Sequence, residues 1–279
     1  MEYVELKCSL APGEAAFAEV IMAQLGELGY ESFSETDEGL LAYIPASAFD
    51  PSILNHEELW PEGAHVEYTW CIIPDENWNA VWESNFEPVT LAERCHIRAP
   101  FHPERPEMEY DIVIEPKMSF GTAHHETTAL MIEHLLETDV TGLSVLDMGS
   151  GTGVLAILAS MRHASAITAI DNDEWAYNNA LENILRNKTP NVSVYLGDAG
   201  MLDGLSFDVI IANINRNILL ADIKAYCKSL KSGGILFMSG FYLDDLAIVA
   251  AAAAENGLTY TSHKERNQWV AARFDAPQQ

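Results

Sequence analysis

The sequence predicts an α/β protein with a doubly wound, largely parallel sheet, preceded by a smaller α+β domain. Charge is the first reason: residues 1–78 contain sixteen acidic residues and a single base, Lys7, whereas the rest of the chain contains twenty-six acids and fourteen bases. Apolar strand segments also alternate with helical segments after residue 140, which is typical of α/β proteins. We therefore predict an acidic domain over 1–78, a connector over 79–115 and a larger domain over 116–279.

The composition excludes several classes of protein. Apolar residues make up 48% of the 279 residues, so the chain can bury a core and is not disordered. The formal net charge of −27 argues against direct binding to a nucleic acid and favours a basic partner. The longest wholly apolar run, Leu246–Ala254, has nine residues, whereas a membrane-spanning helix needs about 20.

The N-terminus and the cysteines predict where the protein works. No secretory signal is expected, because Met1–Leu10 has no basic segment followed by an apolar one. Zinc-type spacing and a disulfide framework are both absent from the four widely separated cysteines, Cys8, Cys71, Cys95 and Cys227. These features predict a cytoplasmic protein.

The first domain is predicted to contain six elements in the order strand–helix–strand–strand–helix–strand, which is the ferredoxin-like order. Strands are predicted from alternating apolar residues and helices from helical spacing, with Gly29 closing the first helix. The polar turn Thr36–Gly39 predicts a hairpin. The six predicted elements are Tyr3–Cys8, Ala16–Leu28, Tyr30–Ser34, Leu40–Ile44, Ala46–Leu59 and Val66–Ile73.

The connector begins with an aromatic stripe, because Trp78, Trp82 and Phe86 recur at helical spacing. Such a stripe more often packs against a neighbouring domain than binds a ligand. The charged stretch that follows contains three prolines, Pro100, Pro103 and Pro106. Since proline breaks regular helices, we predict a helix, short strands and a loop across the connector.

A glycine-rich turn follows the first predicted strand of the second domain, Ser144–Met148. Its glycines let the backbone approach a ligand closely, and the helix predicted after it offers unpaired N–H groups at its N-terminus. The next apolar strand ends at Asp171, where a carboxylate can accept hydrogen bonds from two ribose hydroxyls. Turn, helix, strand and terminal acid together predict a site for a nucleoside-containing cofactor.

The spacing of the glycines distinguishes between cofactors. The nicotinamide fingerprint is G-x-G-x-x-G, but counting from Gly149 places Val154 where that fingerprint needs glycine or alanine. The loop instead reads D-x-G-x-G-x-G from Asp147. It resembles the first motif of the Rossmann-like S-adenosylmethionine-dependent methyltransferases. This resemblance implies a seven-stranded sheet and S-adenosylmethionine as the cofactor.

Three further strands and a closing hairpin complete the predicted sheet. The strands are Val192–Leu196, Asp208–Ile214 and Gly233–Ser239, and the hairpin joins Thr259–Lys264 to Gln268–Phe274. A closing hairpin is typical of the methyltransferase sheet, whose seventh strand runs antiparallel. The second domain is therefore predicted to be a Rossmann-like, seven-stranded methyltransferase domain.

Four segments point to one particular family within this methyltransferase superfamily. They are FGTAHHETT, VLDMGSGTGVLAI, IDND and ANINRNIL. Together they resemble the PrmA family, whose members methylate amines of the large-subunit ribosomal protein L11. That family also joins a small N-terminal recognition domain to its catalytic domain, so the resemblance covers essentially the whole chain. One departure is Ala123, where the family usually has glycine. If this position needs a positive φ, Ala123 is strained.

The resemblance implies that the cofactor contacts fall on Thr128, Gly149, Asp171 and Asn213. The Thr128 hydroxyl suits the cofactor's methionine end, and Asp171 suits its ribose and could also cap the helix predicted over 173–188. Asn213 lies at the carboxyl end of a central strand, where open α/β sheets bind ligands. Its side-chain carbonyl could also accept a hydrogen bond from the target amine, so Asn213 is the one predicted catalytic residue.

A metal site is the alternative that the run His124-His125-Glu126 raises. A zincin helix requires H-E-x-x-H, but Ala129 stands three positions after Glu126. We therefore predict no metal.

The predicted activity is that of a protein-lysine N-methyltransferase acting on a basic large-subunit ribosomal protein, with the N-terminal amine as a further target. One alternative is a methyltransferase for another protein or a small molecule. Another is a non-catalytic S-adenosylmethionine-binding module that regulates a partner. The acidic first domain is either a docking surface for a basic substrate or a device for solubility. Membrane binding and direct binding of nucleic acid are not expected.

Overall fold

The computed structural model describes residues 3–10, 17–36, 39–56, 59–61, 65–73, 87–117 and 120–278. The chain divides into two compact units, Met1–Asn85 and Phe86–Gln279, so the boundary falls inside the predicted connector. The predicted aromatic stripe of Trp78, Trp82 and Phe86 lies outside the described residues. None of the helices in the described ranges is long and apolar enough to cross a membrane.

The first unit is a four-stranded antiparallel sheet with a helix on one face. Along the sheet the strand order is β2-β3-β1-β4, as in ferredoxin-like domains. Its elements are β1 (Tyr3–Leu10), α1 (Phe17–Glu27), β2 (Ser32–Thr36), β3 (Gly39–Pro45) and β4 (Val66–Ile73). Side chains along β1 alternate between the two faces of the sheet, so that Val4, Leu6 and Cys8 point into the core. This core also contains Ile21 and Leu25 of α1.

The second helix predicted for this unit, over Ala46–Leu59, is wrong for the described part of that range. A single 3₁₀ turn, Ile53–Asn55, stands there instead. The physical reason is local competition: one carboxylate oxygen of Asp50 accepts from both the backbone N–H and the hydroxyl of Ser52. Asp and Ser side chains that bond the nearby backbone in this way favour turns over helices.

The second unit begins with a small three-stranded sheet formed by β5 (Val89–Leu91), β6 (Cys95–Arg98) and β7 (Tyr110–Val113). Strands β5 and β6 run antiparallel, and β6 and β7 run parallel. The described part of the predicted connector therefore contains short strands and loop within the second compact unit.

A seven-stranded sheet follows, in the order β10-β9-β8-β11-β12-β14-β13. All pairs are parallel except those made by β14, which runs antiparallel to both neighbours. The strands are β8 (Ser144–Met148), β9 (Ala166–Asp171), β10 (Val192–Leu196), β11 (Phe207–Asn213), β12 (Leu230–Tyr242), β13 (Thr259–Arg266) and β14 (Trp269–Asp275). The predicted α/β class, the five parallel strands and the closing hairpin are confirmed.

Helices cover both faces of this sheet. They are α2 (Glu126–Glu137), α3 (Val154–Met161), α4 (Glu174–Arg186), α5 (Arg216–Ser229) and α6 (Leu246–Glu255). One core cluster joins α2 and α3 to one face, and a second joins α5 and α6 to the other. Since β8 and β11 are neighbours whose following helices lie on opposite faces, a crevice opens at their carboxyl ends, which is where such sheets bind ligands.

Candidate functional site

The crevice at the carboxyl ends of β8, β9 and β11 is a cleft of about 950 Å³. Two walls face it. The β9 wall consists of the glycine loop after β8, the end of β9 and the first turn of α4, with Gly149, Asp171, Asp173 and Trp175 lining the cleft. The β14 wall consists of the segment before and at the start of α2 together with the beginning of β14, and its lining includes Phe120, His125, Thr127 and Trp269.

The glycine loop has the backbone conformation that the motif predicts. Gly149 and Gly151 have φ of +68° and +54°, values that other residues adopt only with strain. A Cβ at Gly151 would lie 2.2 Å from the carbonyl oxygen of Phe120, and one at Gly149 would lie 2.1 Å from the side chain of Ile214. The loop thus needs glycine both for its positive φ and for close approach to its own chain.

Asp171 closes the β9 wall and holds the loop. One of its carboxylate oxygens accepts from the backbone N–H of Gly151 at 2.8 Å, and the other accepts from the N–H of Asp173 at 3.0 Å. Each oxygen keeps capacity for a further donor. The predicted second role of Asp171, as a helix cap, is wrong: Asp173 is the N-cap residue of α4, and its own carboxylate accepts from the N–H of Ala176. A cap must stand directly before the first helical turn, and α4 begins at Glu174.

Asn213 lines the cleft between the two walls, at the end of β11. Its side-chain Nδ2 donates to the hydroxyl of Thr128 at 3.3 Å. Its Oδ1 has no hydrogen-bond partner within the described part of the chain, although the side chain is largely buried. An amide with its nitrogen engaged and its carbonyl unpaired is ready to accept a hydrogen bond from a ligand.

Thr128 stands behind Asn213. It is fully buried in the first turn of α2 and is not among the residues that line the cleft, whereas Thr127 and His125 are. Three of the four predicted site residues, Gly149, Asp171 and Asn213, therefore line one cleft. The fourth, Thr128, does not line it but is hydrogen-bonded to Asn213.

Asp147 is a buried carboxyl beneath the glycine loop. One oxygen accepts from the backbone N–H of Ala156 at 3.0 Å, and the other has no partner among the residues described. Burial raises the pKa of the Asp147 carboxyl to about 8, and the charge of Asp171 adds to the rise, against the opposing effect of the Ala156 N–H. The side chain therefore favours its neutral form below about pH 8.

The β14 wall is aromatic. Ring centroids are separated by 5.1 Å between Phe120 and His125, by 4.7 Å between His125 and Trp269, and by 4.0 Å between Trp269 and Tyr242. No carboxylate lines this wall among the described residues, in contrast to the β9 wall. The sequence motif that contains His125 was singled out, but nothing local marked Trp269, which reaches the site only through the closing hairpin.

His125 has a fixed role at the start of α2. Its Nδ1 accepts from the backbone N–H of Thr127 as the N-cap of the helix. Because Nδ1 is the acceptor, the neutral ring carries its proton on Nε2. In this arrangement Nε2 of His125 is a hydrogen-bond donor toward its surroundings.

Ala123 has a φ of +66° and is almost fully buried. The position therefore needs the backbone conformation that favours glycine, as the sequence comparison anticipated, and Ala123 is strained by about 1–2 kcal/mol. Within the described ranges no three His, Cys, Asp or Glu side chains come close enough together to hold a metal ion.

The sheet order, the antiparallel β14, the glycine loop and the acid at the end of β9 define a Rossmann-like methyltransferase. Comparison with known proteins gives the particular family. Residues 18–276 match the family model described as ribosomal protein L11 methyltransferase (PrmA). The chain belongs to this family, whose cofactor is S-adenosylmethionine.

Individual relatives agree with the family model. A ribosomal protein L11 methyltransferase from Phocaeicola vulgatus is 46% identical over 278 residues, covering 98% of this chain and 99% of that protein. One from Porphyromonas gingivalis is 47% identical over 267 residues, covering 93% and 91%. Among solved structures, a ribosomal protein L11 methylase from Lactobacillus delbrueckii subsp. bulgaricus superposes with a TM-score of 0.64 at 25% identity, covering 69% of this chain and all of that one.

The residues of the cleft fit S-adenosylmethionine. Gly149 and Gly151 line the cleft at the end of β8, in a loop that only glycine can form without a clash. Asp171 has spare acceptor capacity for ribose hydroxyls, and the unpaired Oδ1 of Asn213 lies between the two walls. When bound, the cofactor supplies a methyl group already activated by its sulfonium.

Proposed function

We propose that this protein transfers methyl groups from S-adenosylmethionine to amines of ribosomal protein L11, at Lys side chains and at the N-terminal amine. The relatives' shared name supports the identity of the substrate. The observation that carries the amine chemistry is the unpaired Oδ1 of Asn213, at the junction of a carboxylate-lined wall and an aromatic wall.

The target amine must be neutral to attack the methyl carbon. A free Lys amine has a pKa near 10.4, so only about one in 2,500 is neutral at pH 7. A carboxylate beside the amine would stabilise the ammonium form and lower that fraction further. The β14 wall avoids this, because its described lining residues are aromatic or neutral polar.

Asn213 is proposed to position the amine. An amide oxygen that accepts one amine hydrogen orients the nitrogen while leaving its lone pair available for the methyl carbon. Because Asn213 is neutral, this hydrogen bond does not stabilise the ammonium form as a carboxylate would. Phe120, His125 and Trp269 exclude water from the alkyl chain of the target residue. Positioning of this kind supplies much of the rate enhancement of a displacement reaction.

The acidic first domain is proposed to dock the basic substrate. Residues 1–78 have a net charge of −15, which attracts a basic protein at long range. The remaining residues, which include every proposed cofactor contact, have a net charge of −12 over a much longer segment. The acidic residues proposed to dock the substrate and the residues proposed to bind the cofactor and the amine therefore lie in different parts of the chain.

The test of the activity is transfer of labelled methyl groups to purified, unmethylated L11, with mass spectrometry of the modified residues. We expect label on Lys side chains and on the N-terminal amine, and a strong loss with Asn213→Ala. Label on another protein or a small molecule, but not on L11, would redirect the proposal to that substrate. Cofactor binding without transfer to any substrate would leave a regulatory binding module.

The docking proposal is tested in the full-length protein by salt. Raising ionic strength from about 0.05 to 0.5 M shortens the Debye length from roughly 14 to 4 Å. The KM for L11 should rise several-fold, while the Kd for S-adenosylmethionine stays nearly constant. A KM for L11 that does not respond to salt would leave the acidic surface as a device for solubility.

A further inference from the structure

Trp175 combines high exposure with a place in the cofactor cleft. Its side chain is 79% exposed, the largest fraction of any large apolar residue in the described ranges, and it lines the cleft together with Asp171. A single exposed apolar side chain on an open surface needs no explanation. At the rim of a ligand cleft it has a functional reading, because a bound ligand can cover the indole and remove it from water.

The sheet order places Trp175 at one end of the cleft. Asp171 ends β9 and Asn213 ends β11, with β8 between these two strands. Helix α4 starts directly after β9 and packs against β9 and β10, so its first turn lies on the opposite side of Asp171 from Asn213. A cofactor with its ribose at Asp171 and its sulfonium toward Asn213 therefore extends its adenine toward Trp175.

We infer that Trp175 is a cofactor-binding residue that stacks on the adenine ring of S-adenosylmethionine and closes this end of the cleft. The inference deepens the proposed function, because it rests on the proposed position of the ribose at Asp171. It does not depend on which amine receives the methyl group.

Stacking suits both partners. Adenine presents a flat π-face, and an indole is the largest aromatic surface that a side chain can offer to it. Immobilising a tryptophan costs little conformational entropy, because only two side-chain torsions have to be fixed.

The backbone that carries Trp175 is already held in place. The carboxylate of Asp173 accepts from the N–H of Ala176 at 2.9 Å, and the Asp173 carbonyl accepts from the N–H of Tyr177 at 2.9 Å. Both bonds close the first turn of α4 around Trp175. Covering the adenine therefore requires rotation of one side chain and no rearrangement of the helix.

A contact with the protein substrate is the competing role for an exposed indole. The positions of the walls favour the cofactor, because Trp175 belongs to the β9 wall, whereas the target amine is proposed to lie between Asn213 and the β14 wall. The two roles predict different measurements, since adenine stacking changes cofactor affinity in the absence of L11.

The first experiment measures the Kd for S-adenosylmethionine by calorimetry in the full-length protein. Trp175→Ala should raise the Kd about 5- to 30-fold, within the range for loss of one base–aromatic stack, and Trp175→Phe should raise it less than about threefold. Leu185→Ala is the matched control, because Leu185 is 78% exposed on the same helix but does not line the cleft. Its Kd should stay within about twofold of the unmodified protein.

A second ligand identifies the part of the cofactor that Trp175 contacts. Methylthioadenosine keeps the adenine and ribose of the cofactor but lacks its amino and carboxyl groups. Trp175→Ala should weaken methylthioadenosine binding by the same factor as S-adenosylmethionine binding. Methylthioadenosine should also quench tryptophan fluorescence in the unmodified protein, and Trp175→Phe should lose most of this quenching.

Three results would overturn the inference. One is an unchanged Kd for S-adenosylmethionine in folded Trp175→Ala, or a loss that Leu185→Ala shares. Another is a loss for S-adenosylmethionine that methylthioadenosine does not show, which would place Trp175 at the methionine end. The third is a higher KM for L11 at unchanged cofactor affinity, which would make Trp175 a substrate contact. Failure of the unmodified protein to methylate L11 would instead contradict the proposed function, since the binding measurements contain no L11.

Discussion

The two walls of the cleft differ in the charge of the side chains that line them. The β9 wall presents the carboxylates of Asp171 and Asp173, with Asp147 buried beneath its loop. The β14 wall presents aromatic rings and neutral polar groups, and no described carboxylate lines it. Under the proposed function, one wall holds a cofactor with ribose hydroxyls and a positive charge, and the other holds an amine that must lose its proton.

The sheet order separates Asp171 from Trp269. Strands β8, β11 and β12 lie between β9 and β14, so these two side chains stand on different sides of the crevice, whereas Phe120 contacts the glycine loop. Asn213, at the end of β11, lies where the walls meet. Under the proposed function, a strongly acidic protein prepares a neutral amine because the carboxylates that line its cleft are confined to one side.

The most direct way to break this contrast is Asn213→Asp, which adds a carboxylate where the amine is proposed to lie. A nearby negative charge raises an amine pKa by roughly 1–3 units, so turnover at pH 7 should fall about 10- to 1,000-fold. The loss should shrink as pH rises toward 10, because more of the amine is then neutral. Steady-state methylation of L11 between pH 7 and 10 measures this.

Asn213→Ala is the control for that substitution, since it removes the acceptor without adding a charge. Its loss of turnover should depend little on pH. The contrast between the walls would be unimportant if the Asp and Ala variants showed the same pH profile.

A second test removes the main carboxylate of the other wall. Asp171→Ala removes the carboxylate that is proposed to bind the ribose hydroxyls and frees the backbone N–H of Gly151. We expect a loss of about 1.5–3 kcal/mol in S-adenosylmethionine binding, roughly 10- to 150-fold in Kd by calorimetry. Asp173→Asn is the matched control, because asparagine caps helices as well as aspartate, and it should change the Kd less than about threefold. Unaltered affinity in folded Asp171→Ala would contradict the assignment.

A third test concerns Asp147 and stability. Its folded pKa of about 8 lies above the value near 3.9 for an unfolded Asp, so the unfolded chain releases this proton first. The stabilising contribution of the protonated carboxyl is complete below about pH 4 and is lost as pH rises toward 8, by at most about 1.4 kcal/mol per pH unit. Asp147→Asn should therefore stabilise the protein more at pH 7 than at pH 5 in urea unfolding. An equal effect at both values would mean that Asp147 is ionised when folded.

The smallest expected effect is that of Ala123→Gly, which relieves strain beside the β14 wall. The positive φ of Ala123 should cost about 1–2 kcal/mol, part of which is offset by the greater freedom of glycine when unfolded. We expect a net gain of at most about 1 kcal/mol in urea unfolding, with methylation unchanged. Lys188→Gly, at a position with φ of +56° outside the cleft, is the matched control. Higher stability with reduced methylation in Ala123→Gly alone would show that the strain serves the site.

Local signals made much of the fold predictable. The five parallel strands are short apolar segments between turn residues, and Gly149, Gly151 and Asp171 stand at fixed distances from strand ends. The failed helix over Ala46–Leu59 has a local cause too, because the Asp50–Ser52 turn competes with helix formation. The weak helical spacing of apolar residues in this segment predicted a helix and did not reveal that competition.

The sequence by itself determined the class of sheet, the glycine loop, the family and the set of candidate site residues. Only the tertiary structure decided that Thr128 stands behind Asn213 and that Trp269 joins His125 in the aromatic wall. The physical reason is that helix caps, loops and strand ends depend on neighbouring residues, whereas these side-chain pairings depend on how α2, β11 and β14 pack across the sheet. No spacing in the sequence encodes that packing.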